Sequence, residues 1–256
     1  MGGSKPHLLT SVRNNLGAET RVTYAPSTRF YVADREAGTP WITRLHFPVQ
    51  VAERVETFDW IGRSRFVTRY AYHDGYFDGV EREFRGFGMV EQWDTEEHRD
   101  DTAFAGGESS NWDAASWNPP AYTRSWFHTG AFFDAGTVSQ ARAAQYWSPP
   151  VLPDTVIPGG LAPEEVREAY RALKGLTLRT EVYAEDGSTR AGVPYTVTEN
   201  TFTIKPVQPL GPNRFASFFT HARESIAFHY ERVADDPRVT HDVTLEADPY
   251  GTVLRS

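Results

Sequence analysis

The chain has 256 residues, no cysteine and a formal net charge of −8. Without thiols, disulfides, thiolate zinc sites and a cysteine nucleophile are excluded, and the acidic balance argues against a nucleic-acid partner, which needs a basic patch. Hydrophobic residues reach only 39% while aromatics reach 14%, a combination that suits strands with one buried and one wet face.

Met1-Gly2-Gly3-Ser4 reads as an added leader, with no signal peptide behind it. No apolar run approaches the ~18–20 residues of a membrane helix, so no direct membrane insertion is expected. Residues 8–13 and 20–24 read as strands around a turn at Asn14-Asn15-Leu16-Gly17. Phe30-Tyr31-Val32 reads as a further short β segment, and 40–45 and 49–55 as two more, split by Pro48. Residues 63–72 alternate: Phe66, Thr68, Tyr70 and Tyr72 share one side, and Arg65, Val67, Arg69 and Ala71 the other. The Gly- and Asp-rich run His73-Asp74-Gly75-Tyr76-Phe77-Asp78-Gly79 predicts a bend, with a return strand at 86–93.

Residues 96–120 are charged, then small and polar, and close on Pro119-Pro120. They are expected to form a mobile loop between one β region at 5–95 and another at 121–256. The second region opens with a strand at 122–127, a short helix at 139–146 and a proline-broken extended stretch at 148–160. The one strong helix is 163–174. Pro163 suits its first turn, Glu164 and Glu165 favour its N-terminal dipole, and Gly175 suits its end. Val166, Ala169, Tyr170 and Leu173 form its apolar stripe. Strands follow at 176–183, 195–205 (bulged near Asn200), 214–219, 225–232 and 239–246, with turns at 185–188, 235–237 and 248–251. The chain stops at Thr252-Val253-Leu254-Arg255-Ser256, within a strand-like pattern, which reads as a piece of a longer protein. The fold class is therefore mainly β, a meander of antiparallel hairpins with one short helix.

Motifs for catalysis are missing. There is no Gly-x-Ser-x-Gly elbow, and Ser125 and Ser217 have no signature around them. Gly86-Phe87-Gly88 lacks the third glycine and the helix of a dinucleotide loop, and no other cofactor motif occurs, so no cofactor is expected. Asp74, Asp78, Glu81 and Glu83 do not have EF-hand spacing and read as the charged rim of a bend. No pair of the eight histidines has metal-ligand spacing; His221, His229 and His241 could approach across strands, but His241 reads as a hydrogen-bonded core residue. No metal and no catalytic residue is expected.

Several stretches carry a family resemblance. Tyr70-Ala71-Tyr72-His73-Asp74-Gly75-Tyr76-Phe77-Asp78-Gly79 runs into Glu81-Arg82-Glu83-Phe84-Arg85-Gly86-Phe87-Gly88. With Tyr24-Ala25-Pro26-Ser27-Thr28, Pro40-Trp41-Ile42-Thr43, Trp126-Phe127-His128-Thr129-Gly130, Ala172-Leu173-Lys174-Gly175, Glu181-Val182-Tyr183, Tyr230-Glu231-Arg232 and Asp248-Pro249-Tyr250-Gly251-Thr252-Val253-Leu254, this resembles the B component of Tc insecticidal toxins. The span is similar to that family's middle N-terminal and middle C-terminal regions. The resemblance implies a curved, Rhs/YD-type sheet, one segment of a hollow shell without catalysis of its own. It implies as partners the rest of the B component, the C component and an enclosed effector polypeptide, all within a secreted complex. Tyr70, Tyr72, Phe84, Phe87, Tyr183, Phe202, Phe228, Tyr230 and Tyr250 are expected to hold the wall. Asp74, Gly75, Asp78, Gly79, Gly86, Gly88 and Gly251 complete the signature. Neighbouring hairpins would cover each other's apolar faces, so an isolated segment is expected to self-associate. The rival reading is a carbohydrate- or surface-binding module using Trp112, Trp117 and Trp126; a glycoside hydrolase is weaker.

Overall fold

The computed structural model describes residues 5–96, 118–131 and 135–256. Ten strands form one sheet: β1 (Ser11–Arg13), β2 (Ala18–Pro26), β3 (Gln50–Asp59), β4 (Ser64–Asp78), β5 (Glu83–Glu96), β6 (Ala121–Phe127), β7 (Thr177–Ala184), β8 (Thr196–Gln208), β9 (Ser217–His229) and β10 (Arg238–Val243). Each strand pairs antiparallel with the next in sequence. The mainly β meander therefore stands. A small separate hairpin, β11 (Glu246–Ala247) with β12 (Val253–Arg255), follows it. Among the described residues three helices decorate the sheet, not a single short one: α1 (Ser27–Glu36), α2 (Ala135–Ala143) and α3 (Pro163–Ala172). One sheet spans both halves of the chain, because β5 pairs with β6 from Met89↔Trp126 to Asp94↔Ala121. Most of the 96–120 segment lies outside the described residues.

The turn at Asn14 forms as its residues predict: the Asn14 carboxamide oxygen accepts from the backbone N–H groups of Leu16 and Ala18. Four local expectations are corrected. Phe30-Tyr31-Val32 is helical, within α1. Its propensity is overridden by packing: Phe30 lies edge-on to Tyr72 at 5.6 Å and Tyr31 edge-on to Trp41 at 5.4 Å. Residues 40–45 form no strand. They drape over β4, where the Asp74 carboxylate accepts from the Ile42 N–H (2.7 Å) and the Thr43 hydroxyl donates to the Gly75 carbonyl (3.1 Å). The Gly- and Asp-rich run is no hairpin bend; β4 continues through it to Asp78, with a φ of 54° at Asp74 and a register shift against β5 between Gly75 and Phe77. Residues 214–219 and 225–232 do not make two strands. They merge into the 13-residue β9, which bulges against β8 between Thr201 and Phe202, beside the expected bulge at Asn200.

β3 and β4 pair only from Arg54↔Arg69 to Asp59↔Ser64 and part beyond it. α1 packs on β4 and β2, and the Tyr72 hydroxyl donates to the Ala52 carbonyl at 2.8 Å. α3 meets its expected stripe. Ala169 and Leu173 are buried against Ile204, with Phe202, Phe218 and Leu176 around them. Glu165 fastens the start of α3, accepting from the N–H groups of Ala162 and Leu210.

Directly paired residues of an antiparallel sheet point to the same side. The registers therefore place Glu91, Arg124, Glu181 and Val197 in one row and Met89, Trp126, Arg179 and Glu199 in the next. The opposite side carries Thr123, Ser125, Thr180, Val182, Thr196 and Thr198, all half-buried. Across β6–β8 the sheet thus has one face of large and charged side chains and one of small, mostly hydroxyl-bearing ones.

Candidate functional site

The signature hairpin β4–β5 is a buried electrostatic clamp. The Asp78 side chain is 1% exposed, and it lies 3.3 Å from the equally buried Arg85 guanidinium and 3.5 Å from Arg167 of α3. It also accepts from the Tyr76 hydroxyl and from the N–H groups of Val80 and Glu81, which close the turn. Burial alone would raise the Asp78 pKa; the Glu81 N–H, the Arg85 charge and the Tyr76 hydroxyl hold it below its usual value. Arg85 donates to the Gly130 carbonyl at 2.6 Å, just past β6. Glu83 binds Arg171 and Lys174 at the end of α3 (3.1 and 2.9 Å). The hairpin tip of the N-terminal half is thus fastened to a helix of the C-terminal half. Asp78 and Glu83 share the Arg85 guanidinium, at 3.3 Å each, while Asp74 accepts from the Ile42 N–H instead. Among the described residues no three metal-ligating side chains cluster.

The signature glycines have distinct jobs. A Cβ on Gly75 would lie 2.7 Å from the Trp41 ring and 3.2 Å from Phe87. One on Gly88 would lie 2.9 Å from the Asp74 Cβ and 3.0 Å from an Arg142 nitrogen. Gly86 has φ +94°, a left-handed conformation that other residues adopt at a cost. Gly251 has φ +86° and sits directly against the Phe219 ring. Nothing lies near the Cβ position of Gly79, and the structure explains no need for glycine there.

The expected wall aromatics fall into separate groups. Tyr72 touches Phe87 (4.9 Å) and Tyr70 (6.3 Å), and Phe84 touches Phe87 (5.5 Å). Tyr183 packs with Tyr122 (5.7 Å), which stacks on Trp93 (5.1 Å). Phe228 stacks on Tyr230 (5.9 Å), and Tyr230 meets Trp147 (4.9 Å). Phe202 lies 5.9 Å from His128. Tyr250 joins none of these groups and is 87% exposed. His241 is not a core residue: it is exposed on β10 and contacts Glu224 at 3.3 Å. Trp126 is fully buried, its indole N–H donating to Gln145, so it offers no surface for sugar. Trp112 and Trp117 lie outside the described residues.

Sequence reasoning missed the charged network of the large-residue face. Arg179 binds Glu181 at 2.7 Å and Glu199 at 2.5 Å, all three nearly sealed from solvent. Glu181 also accepts from the Tyr183 hydroxyl (2.6 Å) and the Trp147 N–H (3.0 Å). Glu199 accepts from the N–H groups of Val151 and Leu152. Two buried carboxylates thereby fix the path of the proline-broken segment that covers this face. Burial and the Glu181 contact drive the Tyr183 pKa upward; burial and Glu91 do the same to Tyr122. Further along the same face, His73 bridges Asp34 (2.7 Å) and Glu91 (3.2 Å). Burial works against its protonated form, but the Glu91 and Asp34 carboxylates win and raise its pKa. Alternating ions on a strand whose other side is Thr and Val were the available signal, but in sequence that pattern equally describes a wet face.

Among the described residues the arrangement offers packing, ion pairs and capped turns, and no nucleophile set against a base. The family described as the insecticide toxin TcdB middle/N-terminal region matches residues 2–111. Its companion, the TcdB middle/C-terminal region, matches residues 168–256. The chain belongs to the TcB, or TcdB-like, family of insecticidal toxin components. Solved structures agree. A TcdB2–TccC3 crystal structure without its hypervariable C-terminal region is 32% identical, with a TM-score of 0.81 over 97% of this chain. TcdB2–TccC3–TEV gives 31% and 0.80, also over 97%. A Photorhabdus luminescens Tc holotoxin pore gives 31% and 0.80 over 96%. This TcB-type chain spans only 12%, 12% and 11% of those three chains, respectively. No curated protein sequence matches it.

Proposed function

We propose that this chain is a non-catalytic wall segment of the shell of a Tc toxin B component, which encloses an effector polypeptide together with a C component in a secreted complex. The observation that carries this reading is the open ten-stranded, next-neighbour meander, superimposable over 97% of its length on chains solved as TcdB2–TccC3. A wall must be continuous and hold its shape without a closed barrel. The meander supplies continuity, and the clamp from β4–β5 to α3 and the ionic network under residues 147–152 supply shape. The terminal strands β1 and β10 leave hydrogen-bonding edges of the kind a neighbouring hairpin would extend.

The test uses the full-length B component co-expressed with its C component. Asp78→Ala paired with Arg179→Met is expected to leave both chains expressed but to make the enclosed polypeptide digestible by added protease. An effector that stays protected in both single variants and in the pair would overturn the wall reading. Turnover on a glycoside panel that is lost with Asp78→Asn would replace it with the hydrolase reading.

A further inference from the structure

We propose that α1 is the latch of a proton-operated clasp: it stays seated on β4 while His73 is protonated, and its C-terminal half lifts away once that proton leaves. The His73 ring lies between two carboxylates, with Asp34 of α1 2.7 Å from Nδ1 and Glu91 of β5 3.2 Å from Nε2. A neutral imidazole has one N–H and one lone pair, so it donates to one carboxylate and aims its lone pair at the other. Only the imidazolium satisfies both contacts. The three side chains are 15–19% exposed. They are shielded enough for the charges to act strongly and open enough to exchange a proton with water.

The contact matters to α1 because little else holds that helix. Of its ten residues only Ser27, Phe30 and Asp34 are not exposed, and their spacing puts them on one side. Ser27 anchors the first turn: its N–H donates to the Val49 carbonyl (2.8 Å) and its hydroxyl accepts from the Val49 N–H (3.0 Å). Arg29 adds an ion pair to Glu53 of β3. Phe30 lies against Tyr72. Asp34 anchors the second half, and it also accepts from the Trp41 indole N–H at 2.6 Å, which ties residues 40–45 to the same point. The helix has no side-chain bond at its N-cap and no acidic residue in its first turn, and it is shorter than the ~12–15 residues an isolated helix needs in water. Glu91 belongs to a strand paired on both sides, so α1 is the partner free to move. The other charges around the ring do not replace the proton. Asp74 of β4 adds a further carboxylate, offset by Arg142 of α2, while the Tyr122 hydroxyl and the Arg124 charge of β6 act on Glu91. Burial disfavours the His73 proton, but Glu91 and Asp34 outweigh it and raise the pKa. The clasp is therefore closed below about pH 6.5 and loosens as pH rises through the folded value.

Hydrogen exchange of the 256-residue chain, read by mass spectrometry from about pH 5.5 to about pH 9 and corrected for intrinsic exchange rates, tests this. Peptides within residues 30–45 are expected to lose protection about threefold or more as pH rises, with a midpoint above about 6.5, while β7 and β8 keep theirs. His73→Gln is expected to abolish the step and leave the second half of α1 weakly protected at every pH. Asp34→Asn, which removes one of the two carboxylates, is expected to move the midpoint down toward about 6.5. Protection of residues 30–45 that does not change with pH in the parent overturns the proposal, as does a step that survives in His73→Gln. Should His73→Gln fail to fold, an unmoved midpoint in Asp34→Asn overturns it.

Discussion

Arg179 shows how much one residue can hold. Its guanidinium neutralises Glu181 and Glu199, and those carboxylates in turn fix the backbone of residues 147–152. Arg179→Met should cost about 3–5 kcal/mol, because it strands two buried carboxylates; urea denaturation monitored by tryptophan fluorescence measures it. Gly88→Ala should cost about 1–3 kcal/mol, since the new methyl meets both the Asp74 side chain and Arg142. His128 supplies a pH dependence. Burial and the Arg142 charge push its pKa down to about 3. The unfolded chain, with a histidine pKa of about 6.5, therefore binds the proton more readily. The His128 contribution is complete above about pH 6.5, declines as pH falls, and is gone below about pH 3. His73, with its raised pKa, acts oppositely: its contribution is present below about pH 6.5 and is lost as pH rises through the folded value. His128→Phe should thus flatten the stability curve on the acid side, by on the order of 2 kcal/mol between pH 7 and pH 5 relative to the parent. An unchanged slope would contradict the buried neutral imidazole.

At the scale of elements, the join between the β4–β5 hairpin and α3 decides how the two halves of the chain are held. Asp78 and Arg85 form the sealed part of that join, and Glu83 with Lys174 the wet part. Asp78→Ala should therefore cost about 3 kcal/mol or more, and Lys174→Ala less than about 1 kcal/mol. Hydrogen exchange should show Asp78→Ala loosening α3 as well as the hairpin turn. Exchange confined to the hairpin would mean that the ion pairs do not couple the two. α3 itself is legible in the amino-acid sequence alone: its proline start, acidic first turn, apolar stripe and terminal glycine agree with one another. α1 is not, because Phe30-Tyr31-Val32 is β-prone by itself and becomes helical only where Tyr72 and Trp41 receive its rings.

For the whole molecule, the consequential feature is the open sheet. β10 is almost wholly exposed, with Val239 half out of solvent contact and Leu245, Val253 and Leu254 exposed beyond it. An unpaired edge with apolar side chains favours strand-to-strand association. The isolated chain should self-associate in a concentration-dependent way, measured by size-exclusion chromatography with light scattering. Val239→Lys should shift it toward monomer by placing a charge on the edge. A clean monomer at all concentrations would show that both edges are already protected.

The sequence by itself determined the β-rich class, the Asn14 turn, α3, most strand positions and the family, because alternation, turn chemistry and caps are local and a long ordered run of signature residues is specific. It did not determine which face of β7 is buried. Arg179, Glu181 and Tyr183 look like a solvent face in sequence, and only their pairing across β6, β7 and β8 turns them into an internal ionic network. Nor did it determine that the Asp74–Asp78 run is strand and not a bend, since the loop that caps Asp74 comes from Ile42, 32 residues away. Partners and burial are set by residues distant in sequence, and only the tertiary structure brings them together.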